Sequence, residues 1–447
     1  MSRHSLPLAA FEEYLLWEDR PAYPFSCFAR LRFTGQIDRQ ALDAALRAIM
    51  PRHPLLASRL ERQGWRPSWT PQPGAMPQIE WHEGPAGPEL PAAGHQDLQQ
   101  DIGLKVFVTR HEGSSDLTLQ FHHACCDGAG IEVFVNDLLI AYAIEKNGPQ
   151  DGLKLPPLDP GLLARRGAYG LTLGKFLAML PRQLVGVLGA GQFFGRSPVP
   201  MLPHRVSRDG DSPPQGYPAT CRRVFTREET RAYHAAAKRL GVTSNDLMIR
   251  DGYLALDEWR SRHGTKDDGW MRLMVPMNLR SKSDRLLPAA NEVGSVFMDR
   301  RSHDFARPAA LLAGIARELQ IIKEKDLGLI FVYALNVLRL LPGGLRHIAN
   351  QDKCTVSAIF SNIGRVLRRC PLPRKNGRIV SGNLVLEQID GAVPVKPYSC
   401  VSFFINEYAH CLSVMLHYDP RPLGLEQAND LVSTFARRVQ ATAASQA

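Results

Sequence analysis

Paired cysteines are missing from this sequence. Its eight cysteines stand at positions 27, 125, 126, 221, 354, 370, 400 and 411, with no repeated spacing and no CxxC pair. That pattern gives no zinc ribbon and no disulfide framework, and reduced thiols fit a cytoplasmic protein best. Apart from one adjacent pair, the histidines show neither HxH nor HExxH spacing, so no catalytic metal is expected. Uninterrupted apolar runs are also lacking. Lys175, Pro181 and Arg182 break the stretch 170–195, and Arg339 and Pro342 close the stretch 327–341. Neither reaches the roughly 20 apolar residues of a spanning helix, so both read as core or tunnel-wall helices, with membrane contact peripheral at most. The N-terminal segment has no signal-peptide core, and no repeat of 20–50 residues is evident. The basic residues form no long run and are not interleaved with stacking aromatics, so nucleic acid is not an expected partner.

What is present is the composition of a globular protein, 44% hydrophobic and 22% charged over 447 residues. That length predicts two large domains. Five prolines (198, 200, 203, 213 and 214) and little apolar periodicity mark 198–218 as the connection. The expected division is an N-terminal lobe over 1–197, that linker, and a C-terminal lobe over 219–447. The net charge of +10 is lopsided: residues 1–218 hold 21 Lys and Arg against 22 Asp and Glu, and residues 219–447 hold 33 against 22. A basic second half suggests an anionic partner, either a phosphate-bearing ligand or an acidic protein surface.

Periodicity supplies a mixed α+β reading. Alternation predicts strands over 28–33, 105–110 and 117–121, the last two as a hairpin, and again over 380–386, 398–406 and 410–418; 222–225 also reads as a strand, and the short apolar run 271–276 suits a buried one. Helical spacing follows Asp38, a candidate N-cap, until Pro51, and recurs over 131–143, 227–240, 244–260 and 425–443. Residues 71–93, rich in Pro and Gly, read as a surface excursion.

The most informative feature is the run His122-His123-Ala124-Cys125-Cys126-Asp127-Gly128 at the end of a hairpin strand. Successive strand residues face opposite sides, so only one histidine can face a given cavity. Imidazole titrates near neutrality and can take a proton from an attacking hydroxyl or amine. Asp127 reads as a group that pairs with an arginine and pins the loop, and Gly128 as the residue that lets the turn enter the next helix. Cys125 and Cys126 read as small buried fillers rather than nucleophiles, because neighbours on a tight loop seldom present base and nucleophile face to face.

His122-His123-x-x-x-Asp127-Gly128 resembles the HHxxxDG signature of the chloramphenicol-acetyltransferase-like superfamily of acyltransferases and condensation domains. In the second half, Thr243-Ser244-Asn245-Asp246, Val275-Pro276-Met277-Asn278-Leu279-Arg280 and Ser361-Asn362-Ile363-Gly364-Arg365-Val366 are similar to segments of its wax-synthase and alcohol-acyltransferase members. The plant-type DFGWG motif is absent. The resemblance implies two chloramphenicol-acetyltransferase-like lobes, each a mixed sheet with helices, around a central tunnel that donor and acceptor enter from opposite sides. It makes His123 the general base and His122 a supporting residue, with Asp127 fixing the loop. Arg280 is the leading candidate partner of Asp127, with Arg59 behind it.

On that basis the chain is expected to move an acyl group from a thioester to an alcohol or, less readily, an amine, without a covalent intermediate. Nothing is expected to be bound permanently; the co-substrate is a coenzyme A thioester or a phosphopantetheinyl carrier. Ser361, Asn362 and backbone amides near Gly364 are candidate oxyanion donors, with a plain turn as the competing reading of that segment. Arg365, Arg368 and Arg369, in a basic cluster that continues to Arg378, are candidates for the donor's phosphates, against a simple exposed loop. Two other readings stay open. One is a carrier-dependent condensation enzyme of a peptide or polyketide pathway, whose carrier protein acts in trans because no Asp-Ser-Leu carrier segment is present; the other is a non-catalytic binding protein on the same fold.

Overall fold

The structure, a computed structural model, describes residues 5–445 apart from 64–65, 149–151, 170–190, 192, 204–206, 208 and 265–267. The first part of the chain forms β1 (Leu6–Pro7), α1 (Ala10–Glu18), β2 (Ser26–Thr34), α2 (Arg39–Ile49), β3 (Ser58–Gln63), β4 (Arg66–Pro71), β5 (Gln78–Glu83), β6 (Leu104–His111), β7 (Ser114–His122) and α3 (Gly128–Asn147). The second part opens with β8 (Ala219–Val224), α4 (Arg227–Arg239), α5 (Ser244–Arg262), β9 (Met271–Asn278) and β10 (Val293–Arg300). Helices α6 (Ser302–Phe305), α7 (Pro308–Glu324), α8 (Gly328–Leu338) and α9 (Gly344–Ala349) follow. The chain then returns to strands: β11 (Ala358–Arg365), β12 (Arg374–Lys375), β13 (Arg378–Ser381), β14 (Leu384–Ala392), β15 (Val401–Tyr408) and β16 (Cys411–Tyr418), before α10 (Leu425–Ala444).

Local chemistry sets the helix starts. Asp38 accepts from Ala41 N at 3.0 Å, and α2 buries Leu42, Ala45, Leu46 and Ile49 on one stripe. Helix α5 begins at Ser244, where the spacing predicts, and its cap lies one residue earlier. Thr243 is its N-cap and accepts from Asp246 N, while Asp246 accepts from Thr243 N, a reciprocal pair that satisfies two otherwise orphaned donors.

Two mixed sheets, one per lobe, organise the molecule. The seven-stranded sheet has the order β12-β13-β14-β2-β7-β6-β5 and the six-stranded sheet the order β10-β9-β11-β15-β16-β8. A small third sheet, β1-β4-β3, flanks the first. The second core includes Phe360, Phe403 and Phe435 in mutual tilted or edge-on ring contact.

Three features depart from the sequence expectations. Residues 71–93 are not irregular throughout, because β5 pairs in parallel with β6. The single strand expected over 380–386 is a hairpin, β13 and β14, turning at Gly382 with a left-handed φ of 59°. Finally, the expected division at 198–218 is not the division in space. Strands β12–β14 belong by sequence to the second half, yet β14 pairs antiparallel with β2 and completes the first lobe's sheet.

That crossing strand carries a buried charge network. Asp390 on β14 accepts from Arg30 of β2 at 2.5 Å and from Arg222 of β8 at 2.8 Å, so one carboxylate joins strands of both sheets. Burial alone would raise its pKa, but the two guanidinium groups hold it below the usual carboxylate range. Removing Arg30 would leave the buried carboxylate to Arg222 alone. Arg30→Ala is therefore expected to cost about 1–3 kcal/mol, read as a fall in the thermal unfolding midpoint.

Candidate active site

Strand β7 delivers the two histidines to different surroundings. The ladder continues past its end, since His123 N donates to Phe25 O at 2.9 Å, so alternation turns the two rings to opposite faces. His122 points into the first lobe and is fully buried. Its Nδ1 accepts from Ala124 N at 3.1 Å, which assigns the proton to Nε2, 3.4 Å from Asp19 Oδ2. Asp19 also takes a 2.7 Å contact from His95. Burial would raise the Asp19 carboxyl, but these imidazoles hold it well below its ordinary value.

His123 turns the other way, toward a cavity of about 270 Å³ between the lobes. The first lobe contributes Phe25, Cys27 and Glu132 to the lining, and the second contributes Pro276, Ser295 and Ser361. Phe25 stacks on the imidazole at 6.0 Å between ring centroids. Nδ1 is buried without a hydrogen-bond partner among the described residues. Removal from bulk solvent pushes the ring's pKa below 6.5, against the main-chain carbonyls of His123 and Cys126, which favour a proton on it. At neutral pH the imidazole is therefore neutral and able to accept a proton.

Asp127 caps α3 and ties the motif loop to the second lobe. One oxygen accepts from Gly130 N at 2.8 Å; the other accepts from Arg280 Nη1 and from Glu292 N, each at 2.8 Å. Arg280 also donates to Ala290 O at 2.8 Å. Burial would raise the Asp127 carboxyl, but Arg280 and the two amides keep it below its ordinary range. Arg59, the other arginine considered, is exposed on β3.

Gly128 has no left-handed backbone, so its use differs from the expected turn conformation. It starts α3 where a Cβ would lie 3.1 Å from Ile363 Cγ2 of the opposite lobe. Gly130 is tighter still: a Cβ there would lie 2.6 Å from Ala290 O. Sequence reasoning missed Gly130, and also Asn291, whose side chain donates to His123 O. It missed Glu292 as well. Its carboxylate accepts from Gly167 N at 2.8 Å, and burial pushes its pKa up to about 7. Only proximity in space marks these residues; no spacing in the chain does.

Ser361 and Asn362 are not in a plain turn. They lie on β11 and line the cavity, with a bulge between Asn362 and Gly364. Asn362 Nδ2 donates to Asn245 Oδ1 at 2.9 Å, and Asn362 Oδ1 accepts from Gly364 N at 3.0 Å. The Gly364 amide is thus consumed locally and is no oxyanion donor. The hydroxyls of Ser361 and Ser295 have no protein hydrogen bond among the described residues. Cys125 and Cys126 are fully buried, and burial raises both thiols well above 9.0, which disfavours the thiolate a nucleophile needs. Of the basic cluster, Arg365 is paired with Glu407 at 3.1 Å and Arg378 with Glu387 at 2.9 Å, whereas Arg368 and Arg369 are exposed. Among the described residues no group of His, Cys, Asp or Glu is arranged to hold a metal, and no helix is long and apolar enough to cross a membrane.

The Asp127 latch gives a signed pH dependence. Its folded-state pKa is depressed, so its stabilisation is present above the ordinary carboxylate value of about 3.9 and is lost as pH falls through the folded value. Asp127→Asn should flatten the acid limb of the unfolding-midpoint profile. Arg280→Ala, which strands the buried carboxylate, should lower the midpoint at neutral pH by an amount equivalent to about 3–5 kcal/mol.

No protein-family model matches the chain. An uncharacterized protein of Mycobacterium tuberculosis is 26% identical over 382 residues, spanning 81% of this chain and 83% of its own. The phthiocerol/phthiodiolone dimycocerosyl transferase of the same organism is 25% identical over 244 residues, 52% of this chain and 54% of the transferase. Among solved structures, the first condensation domain of the CDA synthetase superposes with a TM-score of 0.69 at 16% identity, covering 99% of this chain and 97% of that domain. Polyketide synthase associated protein 5 from Mycobacterium tuberculosis gives 0.61 at 16% identity, with 100% of both chains covered. Two mixed lobes meeting over a cavity, matched along nearly the whole chain, give this protein the two-lobed fold of the condensation domains.

Proposed function

We propose that this protein is an acyltransferase that moves an acyl group from a thioester to a hydroxyl, or less readily an amine, held in the interlobe cavity. The observation that carries the proposal is the neutral His123 imidazole facing a largely apolar cavity shared by both lobes. The acceptor O–H proton passes to the ring nitrogen that faces the cavity, and the oxygen attacks the thioester carbonyl. The tetrahedral adduct then collapses and expels the thiolate, which takes the proton back from the imidazolium. No covalent enzyme intermediate is needed, because the cavity brings the two reactants together. Ser361 and Ser295 are the candidate hydroxyl donors to the oxyanion.

A coenzyme A thioester and a phosphopantetheinyl carrier remain the two donor classes. The exposed Arg368 and Arg369 suit the phosphates of the first or the acidic face of the second. The carrier reading would make the protein a condensation enzyme working with a partner in trans, and the condensation-domain fold supports it equally.

Thiol release from acyl-CoAs of graded chain length, assayed against a panel of alcohols and amines, tests the reaction. His123→Gln should lower kcat/KM by about 10²- to 10⁴-fold, while Cys125→Ala and Cys126→Ala retain turnover. For the wild type, the acid limb of kcat/KM should be centred below the ordinary imidazole value of about 6.5, because burial shifts protonation of His123 downward. No turnover with any alcohol or amine would point to a carrier-bound donor or to a binding protein. Separately, Arg368→Glu with Arg369→Glu should raise the donor KM with little change in kcat; an unchanged KM would remove these residues from donor recognition.

A further inference from the structure

Helix α8 has two unlike faces. Phe331, Val332 and Leu335 point inward; Phe331 lines the cavity and meets the rings of Phe11, Tyr14 and Phe297. The opposite face and the turn after it carry Val337, Leu340 and Leu341, exposed by 62%, 77% and 56%. Only eight large hydrophobic side chains are strongly exposed among the described residues, and three of them fall within these five positions. Scattered exposed leucines need no explanation, but a run of this kind does.

Positive charge predominates around the ridge. From Gly328 to Ala349 the chain has no acidic residue, while Arg339, Arg346 and His347 fall within it. Arg339 is neutralised by Glu13 at 2.7 Å. Arg346 is exposed and stacks over Trp17, itself 41% exposed, at 5.6 Å. Beside the ridge, Arg346, His347 and Lys353 line a shallow surface concavity with Asp352 as its single acid. Apolar side chains flanked by cations and an amphipathic ring match the requirements of the boundary between headgroups and acyl chains. A small free anion would satisfy the cations but would leave the three bare aliphatic side chains in water.

We infer that the α8–α9 edge is a docking surface for an anionic phospholipid bilayer. Val337, Leu340 and Leu341 enter the acyl boundary, and Arg346 and Lys353 meet headgroup phosphates. The helix seated on the lipid is also a wall of the cavity, so a long-chain substrate dissolved in the bilayer would lie next to the site that consumes it. The proposal concerns binding alone and stands apart from the reaction proposed above.

Co-sedimentation of the full chain with phosphatidylcholine vesicles, with and without phosphatidylglycerol, tests it without any acyl substrate. Binding should require phosphatidylglycerol and weaken as the Debye length shrinks from about 30 Å in 0.01 M salt to about 8 Å in 0.15 M salt. Leu340→Glu with Leu341→Glu should reduce partitioning at least about tenfold. Arg346→Glu and Lys353→Glu should each reduce it about fivefold or more. Neither set should change the unfolding midpoint, because the side chains are exposed. Absence of wild-type binding to phosphatidylglycerol vesicles, or unaltered binding by the leucine variant, would overturn the proposal. So would a lowered midpoint, which would mean that the chain itself covers the ridge, or a concentration-dependent dimer abolished by the leucine variant, which would assign the ridge to a second copy.

Discussion

Everything at the interlobe cavity is referred to one buried carboxylate. Asp127 starts α3, accepts the Gly130 amide within its own lobe, and accepts the Arg280 guanidinium and the Glu292 amide from the other. The loop between His123 and Asp127 is thereby fixed at its far end, while the ladder bond from His123 N to Phe25 O fixes the near end. A charged pair this deep does little for net stability compared with apolar packing of the same volume. Its effect here is positional: the lobes meet in the one register that closes the cavity over the imidazole.

The chemistry of the cavity follows from its poverty in polar groups. Aromatic and aliphatic side chains make up most of its wall, and burial there favours the neutral form of the His123 imidazole. Cys125 and Cys126 are packed in the first lobe's core, where burial raises both thiols and disfavours the thiolate. The long wall of Phe11, Leu15, Phe25 and Phe331 suits an aliphatic chain better than a polar one.

Sequence disclosed the parts of this arrangement that depend on neighbours in the chain. Alternation located β7, and the motif at its end pointed to His123 and Asp127. The periodicity of α2 and its Asp38 cap were equally plain, because a helix start is a matter of three or four consecutive residues. What stayed hidden depends on chain segments far apart. Gly130 matters because Ala290 O lies against it, and Asn291 and Glu292 matter because they sit where the motif loop arrives. The Ser361-Asn362-Ile363-Gly364 segment reads equally well as a turn until Asn245 is found bonding Asn362 across 117 positions of chain. The same limit applies to Asp19, which faces His122, and to His95, which contacts Asp19.

The route of β14 has a bearing on how the molecule is made. A ribosome that has released everything up to the proline-rich connection at 198–218 has produced a first sheet whose β2 edge still faces water, because its partner spans Leu384–Ala392. The N-terminal lobe therefore cannot be finished by its own residues. Its exposed edge must be kept from pairing elsewhere until most of the second lobe has emerged. Synthesis and folding of the two halves are interleaved, and cutting the gene at the connection would yield two fragments of which the first lacks strands of its own sheet.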